Sequence, residues 1–466
     1  MAEHKLKILI SGATGFLGQA ICQRLVEEGH ELVVLTRRPA QTRAILGVPH
    51  SAVRWDSSSP QGIAADDPAL QGVDSILHLA GEPVAPGRWT PERKKKIFGS
   101  RVEGTHNLWS SLKQVPGFSP KAIVAASAIG YYGDVGDQTL DESSPAGKDF
   151  LAEVCQGWEA ATRSAPFPTA RQAILRIGVV LGRGGGALPQ LVPLFRNGVG
   201  GRLGSGRQWM SWIHLDDVVG MFVQALQDPA WSGVVNAVAP HPVTNLRLTE
   251  SLAQVLGKPA IIPAPAWAMR LALGEMSQVV LGSQKVANTA ARRLNYSYRY
   301  NMVGDALEQI LGGVEAEGYD ELHQRLWVPR PLPEIFDFFS RAESLGVLTP
   351  DFLDFKILGV SSDPVREGTL IDYRIKIHGV PARWRTRIEN WNPPNRFADT
   401  QVRGPYESWH HTHSFYALAG GTVIEDRVLY RLPLAELGRV VAGGFVGSDV
   451  KKIFDYRTQV ILKKFG

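Results

Sequence analysis

An apolar run over residues 6–11 passes directly into Gly12-Ala13-Thr14-Gly15-Phe16-Leu17-Gly18, and an amphipathic stretch over 17–28 follows until Gly29. A strand, a tight glycine turn and a helix in that order leave few folds open to a chain. Glycines at 12, 15 and 18 permit a turn too tight for side chains. They also let the backbone approach a pyrophosphate, whose charge is met by amides at the helix N-terminus. Gly12, Thr14, Gly15, Phe16, Leu17 and Gly18 are therefore the expected phosphate-side contacts of a dinucleotide.

The second strand of such a unit decides which dinucleotide. A chain that prefers NAD ends that strand with an Asp or Glu that accepts the ribose hydroxyls. Here it ends Leu35-Thr36-Arg37-Arg38, with no carboxylate. Two guanidinium groups suit a 2'-phosphate through charge-assisted hydrogen bonds, although arginines also end strands simply as solvated loops. NADP(H) is expected over NAD(H), with Thr36, Arg37 and Arg38 at its phosphate end.

Short apolar runs at 31–36, 75–80, 122–127 and 173–178 alternate with helix-length segments such as 93–112. That alternation predicts an α/β fold, a Rossmann doubly wound parallel sheet, with a small substrate-covering subdomain in the looser, glycine-rich sequence that follows. Its loops at 184–186 and 204–206, the second flanked by Arg202 and Arg207, suit a phosphorylated substrate or a flexible cover equally. From Tyr319 the texture changes to strand-like segments (371–377, 384–390, 422–432) between helical patterns at 332–344 and 450–463. Two domains follow from this, residues 1–315 and 319–466, with the boundary at 312–318.

With 466 residues the chain is too long for one ordinary core, and 44% hydrophobic against 20% charged residues excludes a disordered or fibrous protein. A net charge of +5 is small for this length, so no nucleic-acid partner is expected, and the basic run Arg93-Lys94-Lys95-Lys96 reads as a solvated helix face. Only Cys22 and Cys155 are present, which fits a reducing compartment. The apolar run at 8–10 is too short for a signal-peptide core, and no transmembrane segment is expected, so a cytoplasmic protein is the reading.

Taken with His78-Leu79-Ala80-Gly81, Tyr132-Gly133 and Trp212-Ile213-His214-Leu215-Asp216-Asp217, the glycine turn makes the chain resemble an extended short-chain dehydrogenase/reductase. Ala80-Gly81-Glu82-Pro83, Gly99-Ser100-Arg101, Tyr131-Tyr132-Gly133, Arg176-Ile177-Gly178-Val179-Val180-Leu181-Gly182 and Gln284-Lys285-Val286 make it similar, more narrowly, to the SDR39U1-like or YfcH-like epimerase family. The resemblance implies an NADP(H) site that includes Leu79, Ala80, Gly81, Lys96, Arg101 and Val180. It also implies a Ser or Thr with Tyr-x-x-x-Lys for acid/base work, yet those positions fall on Ala128, Leu151 and Cys155. Ser127, Tyr131 and Tyr132 are the remaining catalytic candidates. A tyrosine with no lysine beside it keeps a pKa near about 10, so aromatic packing beneath the nicotinamide competes with an acid role. Cys155 is expected to be a buried helix cysteine, and Asp216-Asp217 to cap or pack.

In the second domain Trp409-His410-His411-Thr412-His413 puts His411 and His413 on one strand face. Two histidines make an incomplete metal site, and a cross-strand packing face with no metal is expected. The segment from His323 to Pro329, then Pro333-Glu334-Ile335-Phe336, Gly368-Thr369 and Trp391-Asn392-Pro393-Pro394-Asn395-Arg396-Phe397, resembles the SRPBCC or START-like helix-grip fold. That resemblance implies an α+β domain with a deep cavity for an apolar ligand. Two functions stay open: an NADP(H)-dependent epimerase or oxidoreductase acting on a small molecule, and an NADP(H)-binding regulator or scaffold, for instance in cell division, that has lost its acid/base groups.

Overall fold

The computed structural model describes residues 5–59, 62–85, 87–313, 318–433 and 435–466, the side chains of 435–445 excepted. The chain divides into two compact units: Met1–Thr42 with His50–Gly312, and Gly313–Gly466 with Arg43–Pro49. Of the expected boundary at 312–318, residues 314–317 lie outside the described residues.

The first unit is built on seven parallel strands: β1 (Lys7–Ser11), β2 (Glu31–Thr36), β3 (Ser51–Arg54), β4 (Ser75–His78), β5 (Ala122–Ala128), β6 (Arg171–Ile177) and, after a pair described below, Gly233–Ala237. They lie in the order Gly233–Ala237, β6, β5, β4, β1, β2, β3, the doubly wound arrangement expected from the sequence. Ile8, Leu9, Ile10, Val33, Ile76 and Ile123 are fully buried because helices cover both faces, which is why the strands read as apolar runs rather than alternations. The covering helices include α1 (Phe16–Glu27), α2 (Pro91–Leu112), α3 (Phe150–Arg163) and α4 (Leu215–Gln227). The pair β7 (Val179–Gly182) and β8 (Trp212–His214) runs parallel outside the main sheet. Two edge strands, Ser51–Arg54 and Gly233–Ala237, escape a sequence reading because each is short and one is polar at both ends.

The second unit is one seven-stranded sheet in which every neighbouring pair is antiparallel. Its strands, continuing from Gly233–Ala237 as β9, are β10 (Asp320–Val328), β11 (Lys356–Val360), β12 (Leu370–Ile377), β13 (Val380–Asn392), β14 (Arg396–Arg403), β15 (Ser408–Leu418) and β16 (Gly421–Arg431), in the order β10-β16-β15-β14-β13-β12-β11. Phe336, Phe339, Trp384, Phe397, Phe415, Ile461 and Phe465 form its core, with contributions from α5 (Leu332–Phe339) and the terminal helix α7 (Ala435–Phe465). The helix expected over 332–344 is in fact two, α5 and α6 (Ala342–Val347). Ser340 caps the first end by donating its hydroxyl to the Asp337 carbonyl at 2.8 Å, while the Asp363 carboxylate accepts the Ala342 amide at 3.3 Å and starts the second. Among the described residues no helix is long and apolar enough to cross a membrane.

Gly18 is where α1 meets the turn that precedes it. A side chain at this position would stand 2.7 Å from the Ala13 carbonyl oxygen and collide with that of Gly12. Replacing it (Gly18→Ala) is expected to destabilise the chain by about 1–3 kcal/mol in urea denaturation, the usual range for forced overpacking. An unchanged midpoint would show that helix and turn can separate at little cost.

Candidate functional site

The cofactor turn is held against the end of β4. Gly12 adopts φ +76°, and a side chain there would meet the Leu79 carbonyl carbon at 2.7 Å and the Ala80 nitrogen at 2.8 Å. This approach sets Leu79 and Ala80 against the turn, in which Thr14 and Gly15 are exposed. Gly15 begins α1 with extended backbone and no side-chain cap, so the first-turn amides at Phe16, Leu17 and Gly18 are available to an anion. The Phe16 ring lies against Gly182 and Gly186, so the strand that bears Val180 folds back over the opening of α1. These residues fit a dinucleotide: the first-turn amides of α1 have no side-chain cap, and Thr14 and Gly15 ahead of them are exposed.

At the end of β2, Thr36 Oγ1 accepts the Arg38 amide at 3.1 Å, and both Arg37 and Arg38 are exposed. Asp56 lies within electrostatic reach of Arg37. Hydrogen bonds from Ser58, then Arg37 and Arg54, hold its carboxyl below the usual range. Arg101, from α2, is half-buried against Gly81 and donates to the Glu82 carbonyl at 2.9 Å, with its guanidinium over the Trp158 ring at 5.1 Å. Lys96, by contrast, is an exposed side chain on α2.

Beneath the cradle runs a buried polar chain that the sequence reading missed. Ser11 Oγ is 2.6 Å from His78 Nδ1, His78 Nε2 is 2.8 Å from Thr105 Oγ1, and the Ala80 amide donates to Ser11 Oγ at 3.3 Å. Burial pushes the His78 imidazole down to about 4, so it is neutral and joins its two hydroxyl neighbours without a charge. Its signal in the sequence is a histidine that ends an otherwise apolar strand.

The positions that the family resemblance assigns to acid/base catalysis do come together. A side chain on Gly130, just past β5, would lie 3.3 Å from Leu151 Cβ and 3.8 Å from Cys155 Sγ. Neither can pass a proton usefully: burial, with Glu159 adding to it, pushes the Cys155 thiol up to about 11. Ser127 and Tyr132 are equally committed. Ser127 Oγ donates to Glu159 at 2.9 Å; the Tyr132 hydroxyl donates to Asn236 at 2.7 Å and accepts from Arg176 at 3.0 Å. Burial pushes the Tyr132 phenol up to about 12 although Arg176 opposes it. Arg176 and Glu159 form a buried bidentate pair at 2.8 and 3.0 Å, and the same guanidinium stacks 3.3 Å from the centre of the Tyr131 ring. Among the described residues the Tyr131 hydroxyl makes no hydrogen bond, so it alone of the three candidates is available.

Two other sequence features, at Asp217 and Gln284, prove structural. Asp217 accepts the amides of Arg299 and Tyr300 at 2.7 and 3.1 Å, which pins that loop to α4. Gln284 donates to the carbonyls of Ile129 and Gly133 at 3.0 and 3.1 Å and so anchors the turn after β5. Arg202 and Arg207 are both exposed beside their glycine loop.

In the second unit a cavity of about 630 Å³ is lined by Tyr373, Ile375, Trp384, Trp409, Ile453 and Phe454, among others. Asp399, His411, His413 and Arg457 also face it. The sequence offered only the two histidines; strand pairing supplies the rest. Asp399 stands directly opposite His411 on β14, and Asp426 directly opposite His413 on β16. Burial works against both carboxylates, yet the imidazoles, and for Asp426 first of all Arg457, hold them below the ordinary range. Two buried donors on lining residues, Trp384 Nε1 and Arg457 Nε, have no partner among the described residues.

Comparison with known proteins agrees with both halves of this geometry. Residues 8–237 match the NAD dependent epimerase/dehydratase family, 264–310 a domain of unknown function (DUF1731), and 328–454 the polyketide cyclase / dehydrase and lipid transport family. The chloroplastic SDR39U1 homolog of Arabidopsis thaliana is 39% identical over 314 residues, which is 66% of this chain and 88% of that protein. The SDR39U1 protein of Homo sapiens is 35% identical over 310 residues, 66% of this chain and 100% of that protein. A crystal structure of human SDR39U1 (isoform 2) with NADPH superposes with a TM-score of 0.59 at 34% identity, covering 66% of this chain and 99% of that one. A nucleoside-diphosphate sugar epimerase from Corynebacterium glutamicum does so at 0.53 and 35%, covering 66% of this chain and 59% of that one. The chain belongs to the SDR39U1 branch of the NAD-dependent epimerase/dehydratase family and carries, after it, a domain of the polyketide cyclase and lipid-transport kind.

Proposed function

We propose that the first unit binds NADP(H) and acts as an epimerase- or oxidoreductase-like protein on a small molecule, while the second unit holds an apolar ligand. The observation that carries the cofactor reading is the pairing of an uncapped glycine cradle with two exposed arginines at the end of β2. The NADPH in the human relative's crystal structure supports it. When bound, the cofactor supplies or accepts a hydride. The chain's own part is to hold it: α1 amides meet the pyrophosphate, Thr36, Arg37 and Arg38 meet the 2'-phosphate, and Leu79, Ala80, Gly81 and Val180 line the cleft. Arg101 is braced under Gly81, and Lys96 is left as a solvent-side cation. Any proton required by the substrate comes from Tyr131 or from water, since Ser127, Tyr132 and Cys155 are committed elsewhere. The cytoplasm suits two buried free thiols, Cys22 and Cys155.

A second reading, a cofactor-responsive regulator or scaffold, is favoured by one observation: Leu151 and Cys155, the positions that the family resemblance assigns to the catalytic tyrosine and lysine, offer no group that passes a proton usefully. NADPH oxidation in the presence of a candidate substrate supports catalysis; binding without turnover across a broad substrate panel supports the regulator.

For the second unit, a cavity lined chiefly by aromatic and aliphatic side chains points to a mainly hydrocarbon ligand. Native mass spectrometry of the purified chain, followed by analysis of what it releases on denaturation, is expected to yield such a molecule.

Arg37→Ser is expected to weaken NADPH binding about tenfold to a hundredfold, as loss of a charge-assisted hydrogen bond implies, and to leave NADH binding unchanged. Equal losses for both would remove the 2'-phosphate assignment. Glu159→Gln is expected to cost about 3–5 kcal/mol of stability, because it strands Arg176 as a buried charge. If instead stability is kept and only turnover falls, Glu159 has a direct catalytic role.

A further inference from the structure

Four imidazole-to-carboxylate contacts hold the floor of the second unit's cavity. His411 Nδ1 and His413 Nε2 lie 3.2 and 3.0 Å from Asp399 Oδ2, and His411 Nε2 and His413 Nδ1 lie 3.0 and 2.7 Å from Asp426 Oδ1. Each contact needs one hydrogen. Two neutral imidazoles supply one apiece and ionised carboxylates supply none, so half of the contacts set lone pair against lone pair. Something positive must fill the deficit.

The two sides of the cluster differ. Asp426 Oδ1 also accepts from Arg457 Nη2 at 3.1 Å, which gives that carboxylate a permanent counter-charge. Asp399, His411 and His413 line the cavity together. Arg457 Nη2 also lies 3.1 Å from His413 Nδ1, so if both imidazole hydrogens go to Asp426 the guanidinium must give its own hydrogen to Asp426 Oδ1 rather than to His413. His411 Nδ1, His413 Nε2 and Asp399 Oδ2 are then three lone pairs that converge. A tetrahedral zinc with bonds of about 2.0–2.1 Å sets its donors roughly 3.3 Å apart. The two distances from Asp399 Oδ2 are 3.2 and 3.0 Å, and ligand atoms of the three residues all lie within 4.8 Å of one another.

We infer that His411, His413 and Asp399 form a mononuclear divalent-metal site in this cavity, open on the cavity side to an oxygen donor of the ligand. Asp426 orients both imidazoles through their second nitrogens, the role a carboxylate commonly takes behind metal-bound histidines. Two nitrogens and one carboxylate oxygen suit zinc or another first-row ion. The ligand half of this statement rests on the apolar-ligand reading above; the metal half does not.

The test uses the full chain stripped with a chelator and titrated with Zn2+ by calorimetry, then with Co2+ by visible absorption. One saturable Zn2+ equivalent and a tetrahedral Co2+ spectrum are expected. Asp399→Asn should lower Zn2+ affinity at least about tenfold and Asp426→Asn about 10–100-fold, as outer-shell partners do, with NADPH binding unmoved in both. Should either variant fail to fold, imidazole NMR of the unaltered chain decides: Zn2+ is expected to shift the signals of His411 and His413 together. The inference is overturned by the absence of saturable Zn2+ and Co2+ binding, by binding that Asp399→Asn leaves intact, or by two doubly protonated imidazoles that Zn2+ does not displace. The last result would show that protons fill the deficit instead.

Discussion

Backbone-to-backbone approach around one turn organises the first unit. At Gly12 the turn after β1 touches the backbone of Leu79 and Ala80, and at Gly18 α1 touches the carbonyls of the turn. Neither approach tolerates a side chain, and together they decide where the helix N-terminus aims and set Leu79 and Ala80, just past β4, against the turn. The polar chain Ser11, His78 and Thr105 serves the same geometry from below. It satisfies the Ala80 amide and hydroxyl groups that the close contact removes from water, and it does so with a neutral imidazole, so no buried charge has to be compensated.

In the same unit, the region that carries catalysis in related dehydrogenases is given over to a buried ion pair. Arg176 binds Glu159 through two nitrogens and Tyr132 through a third, and Ser127 fills another position on the carboxylate. Such a network leaves little of the chemistry of its members free. A tyrosine whose hydroxyl both donates and accepts inside the fold is a poor acid, and a thiol packed on Gly130 is a poor nucleophile. Desolvation makes the network costly to break, and the same cost holds the turn after β5 in place. The chain has a well-formed cofactor cradle beside polar residues that are mostly spent on stability.

Much of this was legible in the sequence because it depends on local spacing. The glycine turn, the arginines at the end of β2 and the alternation of buried strands with helices each lie within one short window, where period and turn chemistry speak directly. The misplaced features depend on contacts between distant windows. Thr105 reaches His78 across 27 positions and Arg176 reaches Tyr132 across 44. The split of the helix over 332–344 is decided by Asp363, again from outside the window. The histidine pair shows the same limit: its strand face was readable from the alternation of 411 and 413, but Asp399 and Asp426 join it only through the register of β14 and β16.

The two units answer the same physical problem, buried histidine, in opposite ways. His78 has hydroxyl neighbours that donate or accept as the imidazole requires, so the neutral ring is satisfied with the hydrogens it has. Among the described residues, His411 and His413 have only carboxylates and a guanidinium in polar contact with their nitrogens, and their rings lie 3.8 Å apart. Hydroxyls adapt to the number of protons present; carboxylates do not. A cluster of the second kind is stable only with added positive charge. An apolar cavity in which Asp399, His411 and His413 converge is a place where a cation, rather than water, can supply it.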